Sequence, residues 1–70
     1  MSEALNQIAE RTTSALHRLE WTLNYKRGLR DMCIQQGEHD LAASLARDIA
    51  DLQAEAMVHT LAWQLAKAAQ

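Results

Sequence analysis

The sequence predicts an all-α fold: an antiparallel two-helix hairpin that dimerises into a four-helix arrangement. The 70 residues include 13 Ala and 10 Leu but no Pro, and Ala and Leu are among the strongest helix formers. Only two Gly interrupt the chain, and apolar residues recur every three or four positions on both sides of Gly37. This is the period of a helix that packs one face against another helix.

The first helix is expected over about residues 3–36 of a single helical-hairpin domain that takes up residues 1–70. Ser2 is a candidate N-cap, and Glu3 sets a negative charge in the first turn, near the positive end of the helix dipole. The predicted inner stripe of this helix comprises Leu5, Ile8, Thr12, Ala15, Leu19, Thr22, Lys26, Leu29 and Cys33, widened by Leu16, Leu23 and Ile34.

A turn is expected at residues 37–39, followed by a second helix over about residues 40–68. Gly37 can adopt the left-handed conformation that ends a helix, and the acidic Glu38 and Asp40 suit the start of the next one. So short a connection makes the two helices antiparallel. The predicted inner stripe of the second helix comprises Ala42, Leu45, Ile49, Leu52, Ala56, His59, Trp63 and Ala66, with Leu41 alongside.

Helix 2 also carries a second apolar face, which predicts a homodimer. Met57, Val58, Leu61 and Leu65 lie roughly opposite the inner stripe when residues are set about 100° apart. One hairpin partner cannot cover both faces, and two helices alone bury little of their surface. These four residues are therefore the predicted dimer interface.

The sharpest functional feature lies on helix 1, where Trp21, Tyr25 and Met32 share a strip with Gly28. Trp, Tyr and Met are enriched at protein interfaces, and a glycine inside a helix suits the close approach of another chain. The predicted partner-binding residues are Trp21, Tyr25 and Met32 with a polar rim of Lys26, Arg27 and Arg30. A second interpretation stays open, in which the same strip belongs to the dimer interface.

The charged residues are expected to flank the seam between the helices. In a hairpin that turns at Gly37, residues whose numbers add to about 74 or 75 face each other, which sets Lys26 near Asp48 and, within a residue or two of this rule, Arg18 near Glu55. Carboxylates at Asp48, Asp51 and Glu55 then serve as interhelical ion-pair partners rather than as a metal or acid/base site. Lys26, Arg27 and Arg30 also form the densest basic cluster, but the net charge is −2, which disfavours nucleic acid as the main partner.

No catalytic site or cofactor is expected. His17, His39 and His59 lie too far apart in sequence to share one helix face as metal ligands. Cys33 has no neighbouring histidine on its helix, and it falls on the inner stripe, where a buried thiol is ordinary. A single cysteine and an N-terminus without a signal-peptide pattern predict a cytoplasmic protein.

With its two helices around a Gly37 turn and its aromatic and basic residues between Trp21 and Met32, the chain resembles small phage-encoded helical-hairpin host-takeover proteins of the anti-quorum-sensing antiactivator type. The resemblance covers the size and layout of the whole chain and carries over no binding residue. It implies an inhibitor that sequesters a host protein such as a transcriptional regulator. In the same respects the chain is similar to Rop-like helical-hairpin dimers that bind RNA or DNA, and to type III secretion helical-hairpin chaperones.

Overall fold

The computed structural model describes residues 3–69, which form two helices, α1 (Glu3–Gln35) and α2 (His39–Ala68). A short turn joins them, and they lie side by side in a molecule 54 Å long. The predicted two-helix hairpin is confirmed, with every helix end within one residue of its expected position. The candidate N-cap Ser2 lies outside the described residues.

The turn between the helices closes as the sequence predicts. Gly37 has a φ of +78°, in the left-handed region that only glycine enters at low cost. Its backbone N–H donates to the carbonyl of Ile34 at 3.2 Å, and the N–H of Glu38 donates to the carbonyl of Cys33 at 2.8 Å. This pair of hydrogen bonds is a Schellman motif, which satisfies carbonyls at the end of α1 and reverses the chain.

A narrow seam between the two helices is the only apolar interior of the described chain. The buried residues are Ala9, Thr12, Leu23 and Cys33 on α1, and Ala42, Ile49 and Ala66 on α2. The Thr12 hydroxyl donates to the Ile8 carbonyl at 2.7 Å, so burial of this polar group leaves no unmet hydrogen bond. Among residues 3–69 no side chain is completely shielded from solvent, as expected for a layer only two helices wide.

Four apolar residues assigned to the seam or its edge are exposed instead, which corrects the sequence prediction. They are Ile8, Ile34, Leu41 and Trp63. Ile34 and Leu41 each adjoin a buried residue, Cys33 and Ala42, but one step along a helix turns the side chain by about 100°. A single partner helix covers a narrower stripe than the one predicted from the sequence, so side chains next to the buried residues project beyond the contact.

Candidate functional site

The outer side of α1 carries an exposed aromatic strip. Trp21, Tyr25 and Met32 are 70%, 57% and 53% exposed; together with Gly28 they are called the α1 strip below. Trp21 and Tyr25 each lie about 160° around the helix from the buried Leu23. The strip therefore faces away from α2.

The two aromatic rings of the α1 strip stack on each other. The Trp21 and Tyr25 ring centroids are 5.7 Å apart, and the ring planes differ by 2°. Residues four apart on a helix lie one above the other, so this stack needs no support from α2. The rings present a broad apolar surface whose two members already restrict each other's rotation, which lowers the conformational entropy that binding would cost.

Gly28 leaves a gap in the same strip, between Tyr25 and Met32. A Cβ atom added to Gly28 would meet nothing within 4 Å. The glycine is therefore not required by packing inside the hairpin. The gap exposes backbone, which allows another chain to approach the helix axis closely at this point.

The three basic residues predicted to form the polar rim lie on the side of α1 nearer to α2. Lys26, Arg27 and Arg30 are half-buried, and Lys26 turns to α2, where its Nζ donates to Asp48 Oδ2 at 3.0 Å. Arg30 Nη2 lies 3.3 Å from Asp31 Oδ1 on its own helix, and it points about 180° away from Trp21. Helical geometry thus carries these basic side chains toward the seam and away from the aromatic surface.

A second exposed apolar surface lies on α2. Met57, Val58, Leu61 and Leu65 are each between 54% and 70% exposed, and these four residues are called the α2 face below. Between Ala56 and Ala66 the sequence has no Asp, Glu, Lys or Arg. The described chain thus leaves open the surface that the sequence assigns to a dimer.

An acidic row runs along one edge of α2, beside the seam. Asp48 and Asp51 line a shallow hollow with Lys26 of α1, and the Lys26–Asp48 ion pair confirms the register expected from the turn. Arg18 and Glu55 line a neighbouring hollow, which places them on facing helices as expected. Their side chains do not form an ion pair there.

The histidines and the cysteine lie apart from one another. His59 is half-buried at the seam, His17 and His39 are exposed, and Cys33 is buried near the turn. No three His, Cys, Asp or Glu side chains within the described range 3–69 are grouped so that they could hold a metal ion. Neither α1 nor α2, as described, has a stretch long and apolar enough to span a membrane.

The sequence pattern did not indicate a groove around Trp63. This open groove, of about 290 Å³, is lined by Trp63 of α2 and by Thr13, Leu16, His17 and Glu20 of α1. The Lys67 ammonium lies 6.0 Å from the centre of the Trp63 ring, at the outer range of a cation–π contact. The numbering rule around Gly37 could have shown the groove, because it sets Trp63 opposite Thr12 and within reach of the next turn of α1.

Comparison of the chain with protein-family models, with curated proteins and with solved structures gives no match. The features of the hairpin that bear on its function are its two exposed apolar surfaces, the α1 strip and the α2 face.

Proposed function

We propose that the chain is a non-enzymatic, cytoplasmic protein-binding module that docks its α1 strip onto a protein partner and occludes a functional surface there. The observation that supports this function is the exposure of Trp21, Tyr25 and Met32 on one side of a rigid helix. Large apolar side chains that cluster on the surface mark sites of protein contact. Trp and Tyr in particular are enriched among the few residues that carry most of the binding energy of an interface.

The surroundings of the strip favour a protein over a nucleic acid as the partner. Phosphate binding needs several cations free to neutralise the backbone. Lys26 and Arg30 are engaged with Asp48 and Asp31, and both lie on the side of α1 nearer to α2. An apolar, aromatic surface with a glycine gap fits a helix or loop of another protein better.

A narrower proposal follows from the resemblance to phage-encoded antiactivators. In it the partner is a host transcriptional regulator, which the chain sequesters. The size of the hairpin suits such a role, because a binder of this kind needs only one helix face that competes with the regulator's own interface. The identity of the captured partner decides between this proposal, a Rop-like role on RNA or DNA and a secretion-chaperone role.

The proposal is tested by affinity capture from host lysate followed by titration of the purified partner. The tagged chain is used with and without nuclease, together with Trp21→Ala and, as its matched control, Trp63→Ala. The expected result is a discrete protein that survives nuclease treatment. Its dissociation constant should rise by about 30-fold or more for Trp21→Ala, as at an interface hot spot, and change little for Trp63→Ala.

Two further measurements make the result decisive. Circular dichroism must show that each variant keeps the helicity of the native chain, and for Trp21→Ala this is expected because the Trp21 side chain is 70% exposed. A Trp63→Phe chain leaves Trp21 as its only tryptophan, and the Trp21 emission, excited at a wavelength that Tyr25 does not absorb, should shift to shorter wavelength when the partner covers it. Capture of nucleic acid alone, released by salt, would overturn the proposal in favour of the Rop-like role.

A further inference from the structure

We infer that the α2 face is the interface of an antiparallel homodimer, in which the α2 helices of two copies pack directly against each other. The inference concerns a different surface from the α1 strip, and it holds whether or not a partner binds there. Four large apolar side chains on an uncharged helical segment are 54% to 70% exposed, which indicates that this face binds a partner. The spacing of its residues indicates that the partner is a second copy of the chain.

The first step is the spacing of the face. Its central line consists of Ala54, Val58, Leu61, Leu65 and Ala68, all of which are exposed. The steps between them are four, three, four and three residues, which is the seam of a coiled coil. A surface with this spacing can pack against another helix of the same spacing, because the side chains of each helix fit between those of the other. A strand or a loop fits such a surface poorly.

The second step is that the α2 face of one copy is complementary to the α2 face of another. Antiparallel pairing of two α2 helices centred between His59 and Thr60 sets Val58 opposite Leu61 of the second copy. It also sets Ala54 opposite Leu65. The small Ala54 then faces the large Leu65 on both halves, with Val58 against Leu61 at the centre, and this alternation of sizes suits close packing between helices. A two-fold axis generates both halves from the same residues, as an interface between identical copies requires.

The third step is the charge along the edge of α2, which decides the orientation. Parallel pairing would bring the acidic row of one copy abreast of the same row in the other. In the antiparallel arrangement the two copies of Glu55 are separated by about 13 Å along the axis, and the two copies of Asp51 by about 25 Å. Both separations exceed the screening length of about 8 Å at physiological ionic strength, so the repulsion is weak.

The fourth step is the size of the surface. A standard stable interface buries about 800 Å² on each partner, and this is roughly 15% of the 5215 Å² that one hairpin exposes. Residues 50–68 are somewhat more than a quarter of the described chain, and about half of their surface faces outward. This outward half is close to the share of about 15% of the surface that a standard interface needs. The area is therefore sufficient for a dimer, and the α1 strip on the other helix is left uncovered.

Sedimentation equilibrium of the purified chain, with and without Leu61→Glu, tests the dimer. Leu41→Glu is the matched control, because Leu41 is also a leucine of α2 with 54% exposure but lies outside the α2 face. We expect a dimer for the native chain and for Leu41→Glu. The dissociation constant of the Leu61→Glu dimer should rise by at least about 30-fold, since the substitution places a charge in the centre of the α2 face.

Disulfide trapping tests the orientation and does not depend on the folding of Leu61→Glu. In a Cys33→Ser background, a mixture of Ala54→Cys and Leu65→Cys chains should give a cross-linked heterodimer under oxidising conditions. Ala54→Cys alone should stay uncross-linked, because its copies are about 16 Å apart along the axis. A native chain that remains a monomer at micromolar concentration, a dimer unaffected by Leu61→Glu, or efficient self-linking of Ala54→Cys would each overturn the inference.

Discussion

Lys26 Nζ donates a hydrogen bond to Asp48 Oδ2 at 3.0 Å across the seam, between residues 22 positions apart in the sequence. The pair lies on opposite sides of the Gly37 turn, at positions whose numbers add to 74. Because a slip of one helix along the other would separate the two groups, this ion pair marks the register of the whole hairpin.

A double-mutant cycle on Lys26→Ala and Asp48→Ala should give a coupling energy of about 0.2–1 kcal/mol, the usual range for exposed pairs. The side chains retain 29% and 49% exposure, so water and salt screen their attraction. The coupling should therefore shrink further in 1 M salt, as measured by urea unfolding. A coupling that is large and insensitive to salt would mean that the pair is buried in solution, for example by a second copy.

Gly37 should be the least replaceable residue of the turn. Its φ of +78° costs an L-residue about 1–2 kcal/mol, while its missing Cβ would meet nothing within 4 Å. Gly37→Ala should therefore lower the free energy of unfolding by this backbone cost alone. Gly37→Asn should lower it less, because Asn tolerates the left-handed region better. Equal losses for both variants in urea unfolding would indicate a steric cause instead.

The sequence was sufficient to predict the hairpin because its signals are local and agree with one another. The absence of Pro, the single Gly37 break and the three-and-four spacing each point to the same two helices. The Lys26–Asp48 pair could also be predicted, since one short turn fixes which residues face each other.

The sequence was less informative about which apolar residues the seam covers. Periodicity identifies the side of a helix but not the width that a neighbour shields, so Ile34 and Leu41 were assigned to a seam that excludes them. The sequence was also less informative about the distance of the basic residues from the α1 strip. Lys26 and Arg27 are close to Tyr25 in sequence, but each successive residue turns by about 100°, which carries these side chains toward α2.

Gly28→Ala should stabilise the free chain by about 0.5–1 kcal/mol, because Gly lowers helix stability relative to Ala in an exposed helix interior. Nothing within the hairpin opposes the added Cβ. If the gap serves the close approach of a protein partner, the same substitution should weaken partner binding several-fold. Urea unfolding and titration of the partner measure the two effects separately. Unchanged affinity would show that the partner does not use the gap.

Ile49→Ala and Leu65→Ala should differ in how their cost depends on protein concentration. Ile49 is 4% exposed in the seam, so its truncation should cost about 2–3 kcal/mol, near the lower end for a buried Ile because a two-helix layer can relax around the gap. Leu65 is 70% exposed, so in a monomer its loss should change stability by less than about 0.5 kcal/mol.

In the proposed dimer Leu65→Ala weakens association, and its effect on the urea midpoint should therefore depend on protein concentration. Ile49→Ala leaves a gap between α1 and α2 within each copy, whether or not that copy is in a dimer. Most of its loss in the free energy of unfolding should therefore remain at all protein concentrations. Urea unfolding of both variants over a hundredfold range of concentration separates the two cases, and a Leu65→Ala cost that is small and constant would argue against the α2 face as an interface.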